Sequence, residues 1–164
     1  MQITLRPITI EDSEHIVKWR NCPDVKQNLY SQDNISINQQ RDYYQKYIET
    51  KKIFQYIVIA DGIECGTTFL KKLDNKNRCA EFGIFIGESS LRGRGIGTIS
   101  TIKTVEIGFN QLHLDRIYLT VFSSNISAIR SYEKAGFKIT KNGLKHSLSN
   151  GEIVDITEME IRSK

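Results

Sequence analysis

The sequence predicts one mixed α/β domain over residues 1–164, with a mainly antiparallel sheet and flanking helices. Three observations predict this fold class. In the first half, runs of β-favouring residues are joined by tight-turn residues. After Gly95, apolar residues recur every three to four positions, as in a helix, and another β-favouring run follows that helix. A length of 164 residues suits one hydrophobic core, whereas two domains would each be marginal.

The N-terminal segment predicts a strand followed by a helix. Residues 3–8, ITLRPI, have the composition of a strand. Thr9 stands three residues before Asp12, which is the spacing of a helix capping box, and the helix that follows carries Trp19. Pro23 ends this helix, because proline disfavours helical geometry in the residue before it.

The next segment predicts a second helix and a hairpin. After a polar stretch over residues 31–38, tyrosine and isoleucine side chains recur at helical spacing over residues 39–49. Two β-rich runs then flank the dipeptide Asp61-Gly62, which is a strong hairpin signal. The chain therefore begins its sheet with antiparallel strands.

A further strand over residues 79–87 follows a turn at residues 74–77. Alternate residues of a strand point to opposite faces, so Glu81 and Phe85 share one face. The other face is apolar and carries Ala80, Phe82, Ile84 and Ile86.

The second half predicts a long helix, a strand, a short helix and two final strands. The apolar residues expected to bury the long helix are Ile96, Ile99, Ile102, Val105 and Phe109. Residues 116–122 are β-branched and aromatic, which predicts a strand. Gly136 closes the next helix, and Asn150-Gly151 marks the turn before the last strand.

The junction before the long helix concentrates glycine and arginine. Arg92, Gly95 and Gly97 form the pattern R-x-x-G-x-G between a strand and a helix. A helix start offers unpaired N–H groups and a positive dipole end, and glycines let a diphosphate approach the backbone. Arg92 and Arg94 add positive charge. We therefore predict a phosphate-binding loop, with a flexible turn carrying solubilising arginines as the alternative.

The sequence of the loop excludes two other kinds of nucleotide-binding site. The loop lacks the G-K-[ST] ending of a P-loop. It also lacks the third glycine and the downstream ribose-binding acid of a Rossmann dinucleotide site.

Composition narrows the function classes further. The net charge of +4 suits an anionic small molecule, but no basic stripe interleaved with aromatic residues predicts nucleic-acid binding. No window is apolar enough to predict a membrane span. Cys22, Cys65 and Cys79 form no C-x-x-C pair and have no histidine nearby, so we expect reduced thiols, a cytoplasmic protein and no metal site.

The segment NISAIRSYEKAGF over residues 125–137 completes a larger pattern. Together with RGRGIG and the opening LRPITIEDSEHIVKWRN, it resembles the GNAT superfamily of N-acetyltransferases, whose members use acetyl-coenzyme A (acetyl-CoA). The resemblance covers nearly the whole chain and implies a single N-acetyltransferase domain with the GNAT fold, in which the strands over residues 80–86 and 116–122 splay apart. It implies coenzyme contacts from Phe85, Ile86, Leu91, Arg92, Gly93, Arg94, Gly95, Ile96, Gly97, Thr98 and Asn125.

The resemblance also implies catalytic roles. The Tyr132 hydroxyl would be the general acid near the coenzyme sulfur, the alternative being an ordinary core or surface tyrosine. Glu81 could take the amine proton directly or through water, and an ordinary edge or surface glutamate is the alternative. A backbone N–H near Phe85 would polarise the thioester carbonyl. Asn125 is equally suited to cap the helix that it precedes.

The acceptor is predicted from the segment KWRNCPDV. This segment resembles a branch of the superfamily that acetylates nucleotide-linked 4-amino sugars in pseudaminic acid synthesis. Trp19 would stack on a sugar or base and Arg20 would meet a phosphate, with Asn21 beside them. A core tryptophan and a surface arginine are the alternative.

Other functions stay open at this point. The acceptor classes of ribosomal-protein N-terminal and of polyamine acetyltransferases fit the same family, and so does a module that binds acetyl-CoA without turnover. We expect a small-molecule amine as the partner, no nucleic acid and no membrane. A homodimer is expected because two-fold pairing is the commonest closed assembly.

Overall fold

Seven strands form one mixed sheet in the computed structural model, which describes residues 1–164. The strands are β1 (Ile3–Pro7), β2 (Phe54–Ala60), β3 (Ile63–Asp74), β4 (Cys79–Ile86), β5 (Arg116–Phe122), β6 (Lys138–Ser147) and β7 (Ile153–Arg162). The helices are α1 (Ser13–Asn21), α2 (Pro23–Lys26), α3 (Ile37–Tyr43), α4 (Ile96–Asn110) and α5 (Ile126–Lys134). The order across the sheet is β1-β2-β3-β4-β5-β7-β6.

The centre of the sheet contains its only parallel pair. All other neighbours are antiparallel, whereas β4 and β5 run parallel because the chain crosses over through α4 between them. Their pairing covers Cys79–Glu81 against Arg116–Tyr118 and ends there. The two strands therefore separate beyond Glu81, which confirms the predicted splay.

Helices cover both faces of the sheet. On one face, α4 and α5 pack against a core that includes Phe82 of β4 and Leu119 of β5. On the other face, α1 and the helical turn over Tyr44–Ile48, which continues α3, pack with Phe85 of β4 and Ile57 of β2. Because Phe82 and Phe85 differ by an odd number of positions, they mark the two opposite faces.

The long helix forms as predicted, but its buried side differs from the expected apolar stripe. Ile102 is exposed, whereas Thr101 and Thr104 are fully buried. The Thr104 hydroxyl lies 3.0 Å from that of Thr68 in β3. A Cβ at Gly108 would lie 2.6 Å from the Ile117 side chain. Small residues face the sheet because helix and sheet approach closely, and this approach depends on residues distant in the chain.

Other boundaries also differ from the predictions. The helix expected over residues 39–49 begins earlier, at Ile37, because Ser36 accepts the Gln39 N–H at 3.1 Å and caps it. It continues as a wider π-helical turn over Tyr44–Ile48. The short helix α2 was not predicted. The first of the two final strands, whose sequence FKIT predicts it over residues 137–140, extends to Ser147, because it pairs with β7 along most of its length.

Candidate active site

A large cleft lies where β4 and β5 separate. Its volume is about 1170 Å³, whereas typical small-molecule sites enclose about 300–1,000 Å³. Phe82 lines it from the α4 and α5 face of the sheet, and Glu81 lines it from the opposite face. Thr120 and Val121 of β5 form its far wall. The cleft therefore passes through the sheet and can join two ligands that approach from opposite faces.

The glycine loop supplies free backbone donors on one side of this cleft. The N–H groups from Gly93 to Thr98 have no acceptor within the protein. Gly93 and Gly95 adopt left-handed backbone angles, with φ of 75° and 80°, which other residues adopt only with strain. A Cβ at either position would have no heavy atom within 4 Å, so the loop faces open space. This geometry fits an anion at a helix start.

The start of α4 is held beside α5. The Thr98 and Ser131 hydroxyls lie 2.8 Å apart. A Cβ at Gly97 would lie 3.6 Å from the Ser131 hydroxyl oxygen. Ile96, the first residue of α4, is buried in the core. The free amides are therefore fixed in direction by packing on both sides of the loop.

The cations around the loop differ from the prediction. Arg92 donates from Nε to the Ile86 carbonyl at 2.9 Å and lies 3.4 Å from Asp24, so protein acceptors hold its guanidinium and it ties the loop to β4. Arg94 is exposed and forms no ion pair. Arg130 and Lys134 also line the cleft. They were missed, although their separation by four residues on one helix signals a shared face.

The backbone N–H and C=O groups of β4 that face the gap belong to the residues on either side of Phe85. The Gly87 N–H donates to the Cys65 carbonyl at 2.8 Å, and antiparallel ladders alternate between bonded and non-bonded pairs. Phe85 shares the orientation of Gly87, so its N–H faces β3. Ile84 and Ile86 alternate with it and direct their backbone groups into the gap, where β5 provides no partner. The N–H near Phe85 that was predicted to polarise the thioester carbonyl would therefore come from Ile84 or Ile86 and not from Phe85 itself.

Tyr132 projects from α5 into the same cleft. Its ring packs against Phe82 and Phe137, with centroid distances of 6.0 and 6.1 Å. Its hydroxyl makes no hydrogen bond within the protein, and burial raises its pKa to about 12. A neutral, unpartnered hydroxyl at this position can donate a proton or hydrogen bond to a reactant.

Glu81 is a buried carboxylate with lysine partners, and it is not a surface glutamate. It is 7% exposed, and its oxygens lie 2.5 Å from the Lys72 Nζ and 3.7 Å from the Lys71 Nζ. The hydrogen bond to Glu81 raises the pKa of Lys72. Tyr118 of β5 lies opposite Glu81 in the register. Glu81 and Tyr132 thus reach one cleft from opposite faces of the sheet.

Asn125 has the capping role that was its alternative interpretation. Its side-chain oxygen accepts the Ala128 N–H at 3.3 Å and caps α5. It also borders the cleft, close to the coenzyme side. Leu91 lies at the end of a short 3-10 turn and lines the same side.

Two of the predicted acceptor residues are structural. Trp19 is 2% exposed, donates from its indole to Glu88 at 2.8 Å and packs against Gly87, so it is unavailable for stacking on a sugar. Asn21 donates to the Ile35 carbonyl at 2.8 Å and accepts the Ile35 N–H at 2.9 Å. The amide therefore clamps the loop between α2 and α3, and both its polar groups are used.

Arg20 does lie in the cleft. It donates from Nη2 to the Ser31 carbonyl at 2.7 Å, while its buried Nη1 has no partner. Burial lowers the pKa of the guanidinium, and the nearby Asp33 opposes that effect. Arg20 is therefore the one predicted acceptor residue that retains a free donor beside the cleft.

Three further features concern metal binding, cysteine reactivity and membrane insertion. No group of three or more His, Cys, Asp or Glu side chains is arranged to hold a metal ion. Burial raises the pKa of the Cys65 thiol to about 11, which makes it a poor nucleophile. No helix has both the length and the apolar character required to cross a bilayer.

Comparison with known proteins identifies the class. Residues 2–138 match the family model described as an acetyltransferase (GNAT) domain. The chain therefore belongs to the GNAT family, and the predicted fold class is confirmed. It is an N-acetyltransferase that uses acetyl-CoA as cosubstrate.

Individual acetyltransferases from two bacteria are similar to this chain. The spermidine N(1)-acetyltransferase of Escherichia coli K12 is 27% identical over 150 residues, which cover 92% of this chain and 80% of the relative. The L-amino acid N-acetyltransferase AaaT of the same strain is 31% identical over 156 residues, 94% of each chain. The crystal structure of spermidine N-acetyltransferase from Vibrio cholerae with CoA and spermine has a TM-score of 0.90 at 25% identity, covering 98% of this chain and 95% of that one.

Proposed function

We propose that this chain transfers the acetyl group of acetyl-CoA to the primary amine of a small, freely diffusing acceptor. The observation that carries the proposal is the single cleft through the splayed sheet. It joins the free amides of residues 93–98 to Glu81 on one face and Tyr132 on the other. One domain over residues 1–164 would perform the whole reaction. We place the reaction in the cytoplasm, with its cysteines reduced.

The coenzyme would occupy the α4 and α5 side of the cleft. Its diphosphate fits the free amides of residues 93–98, because a helix start attracts anions. Arg94, Arg130 and Lys134 supply further positive charge. The backbone groups of Ile84 and the N–H of Ile86 are available for the pantetheine amides in the gap, whereas the Ile86 carbonyl already accepts from Arg92.

The reaction would follow a direct transfer without an acyl-enzyme. Glu81 accepts a proton from the acceptor ammonium, directly or through water, and the neutral amine nitrogen bonds to the acetyl carbon. A β4 N–H at Ile84 or Ile86 stabilises the negative charge on the carbonyl oxygen. The carbon–sulfur bond then breaks, and Tyr132 gives its proton to the leaving thiolate. The nitrogen, which still carries two hydrogens, releases one proton to solvent to give the neutral amide, and Glu81 returns its own proton to solvent. Solvent restores the tyrosine proton.

The acceptor class has two candidates. The names of the relatives point to spermidine and to L-amino acids, so they support the polyamine and small-amine alternative over nucleotide-linked amino sugars. The second candidate, an acceptor that also carries an anion, is favoured by the charges on the acceptor side. Arg20 has a free donor there, while the cleft carboxylates Asp24 and Glu81 are paired with Arg92 and with lysines.

Thiol release from acetyl-CoA tests the proposal. The panel contains spermidine, L-amino acids, a nucleotide-linked 4-amino sugar and a ribosomal-protein N-terminal peptide. We expect turnover with one small-amine class, and we expect Glu81→Gln to lower kcat by about 10²-fold or more at unchanged coenzyme affinity. Coenzyme binding without turnover on any amine would instead indicate a sensing module.

Pairing of two copies remains a separate prediction. Sedimentation of the purified chain over a range of concentrations measures it. A mass that stays at one chain throughout would contradict a homodimer.

A further inference from the structure

A second depression lies where the start of β2, the end of β3 and the residues just after α4 meet, and its charged residues are all lysines. We call it the lysine pocket and define it by Lys51, Lys52, Lys71 and Lys72. Its volume is about 760 Å³, and no carboxylate is among the residues that line it. Tyr47 and Phe54 contribute aromatic surface to its wall.

The positive charge of the lysine pocket is only partly neutralised. Lys71 and Lys72 share the single carboxylate of Glu81, whereas Lys51 and Lys52 form no ion pair. Like charges gathered around one concavity repel one another and attract an anion from solution. Lysine ammonium groups bind phosphate as point charges, and several of them around one concavity match an anion that carries more than one charge. The pocket therefore favours a phosphate-type ligand.

The backbone at the lysine pocket is unusual in a second way. Lys51 and Lys72 both have left-handed angles, with φ of 56° and 51°. Side chains other than glycine adopt this conformation at a cost, and such residues concentrate at binding and catalytic sites. At Lys72 the strand register of β3 shifts between Lys71 and Asp74. This irregularity brings two consecutive lysines to Glu81, which a regular strand would send to opposite faces.

The lysine pocket and the central cleft share part of one wall. Lys71 lines both the lysine pocket and the central cleft. Lys71 and Lys72, the two lysines from β3, both contact Glu81, the proposed base. We propose that the lysine pocket binds a phosphate or diphosphate group carried by the acceptor, so that the acceptor amine is directed toward Glu81. This inference rests on the proposed function, and it selects an anion-bearing amine over a polycation.

Binding of inorganic pyrophosphate tests the pocket without any turnover. Isothermal titration of the full chain, with saturating CoA filling the glycine loop, should detect binding, and Lys51→Glu with Lys52→Glu should weaken it by about tenfold or more. Both residues are exposed, so the double variant should fold. The matched control is Lys18→Glu with Lys164→Glu, which makes the same charge change at exposed lysines outside either cavity. No binding, or equal loss in both double variants, overturns the proposal.

Inhibition kinetics then test the link to the acceptor. With whichever amine is turned over, pyrophosphate should raise the acceptor KM without changing kcat, and the effect should disappear in the lysine pocket variant. Inhibition that competes with acetyl-CoA instead would place pyrophosphate in the glycine loop and overturn the assignment. If no amine is acetylated, the proposed function fails, while the titration still decides whether the lysine pocket binds phosphate.

Discussion

Tyr132→Phe removes one oxygen from the reaction site and tests the general acid directly. The hydroxyl makes no hydrogen bond within the protein, and the ring contacts with Phe82 and Phe137 remain in the variant. We therefore expect the free energy of unfolding to change by less than about 0.5 kcal/mol. Coenzyme affinity should also be unchanged.

The expected loss of rate follows from the pKa of the tyrosine. General acids contribute about 10²–10⁴-fold, and their efficiency depends on how well the acid matches the leaving group. A pKa of about 12 makes Tyr132 a weak acid toward a thiolate, so the lower end of that range applies. We expect kcat to fall by about 10²-fold, or about 2.7 kcal/mol of transition-state stabilisation. The high pKa also keeps Tyr132 protonated well above neutral pH, so it should cause no alkaline loss of activity below about pH 11.

The assay measures thiol release at saturating acetyl-CoA, with calorimetry of coenzyme binding in parallel. Tyr56→Phe is the matched control, because Tyr56 is a buried tyrosine that does not line the cleft. An unchanged kcat in Tyr132→Phe would refute the acid role. A loss of coenzyme affinity equal to the loss of kcat/KM would show that the hydroxyl serves binding.

Further variants test other parts of the site and fold. Asn125→Ala should cost about 1 kcal/mol through the lost cap, a fall in Tm of roughly 2–4 °C, and unchanged coenzyme affinity in titration would separate capping from binding. Gly95→Ala and Gly62→Ala each add a Cβ in open space at positive φ, so melting should show similar destabilisation of about 1 kcal/mol, while only Gly95→Ala should weaken coenzyme binding, by about tenfold or more; equal affinities would contradict the loop assignment. Burial opposes ionisation of Asp12, but hydrogen bonds from Arg6 and Thr9 outweigh it and lower the pKa. The stabilisation from ionised Asp12 is thus present above about pH 3.8 and lost as pH falls through the lower folded value, so urea unfolding should show Asp12→Asn destabilised at pH 7 and much less so at pH 2.

Local sequence was sufficient to predict most elements of the fold. The hairpin at Asp61-Gly62 and the helix end at Gly136 depend on backbone angles that few residues adopt. The residue types at these positions are therefore enough to predict the turn and the helix end. The glycine loop before α4 was predicted for the same reason. The cap at Ser36 is also a local sequence feature, but the predicted helix began at residue 39 and did not include it.

The roles of individual side chains were less predictable because they depend on distant partners. Trp19 and Arg92 carry the chemistry expected of binding residues, but Glu88 and the Ile86 carbonyl already occupy their polar groups. The orientation of the Phe85 N–H depends on the pairing of β4 with β3, and local letters do not specify that pairing.

The sequence by itself determined the order of strands and helices, the place of the glycine loop and the family. The order of elements and the place of the loop follow from periodicity and backbone preference, which act over a few neighbouring residues, whereas the family was indicated by the resemblance of the motifs. Only the tertiary structure decided that Glu81 is buried between two lysines and that Glu81 and Tyr132 meet in one cleft from opposite faces. It also decided that Lys51 and Lys52 join those two lysines in a second pocket. Burial and charge pairing arise from contacts between residues far apart in the chain, and strand pairing and close packing create those contacts.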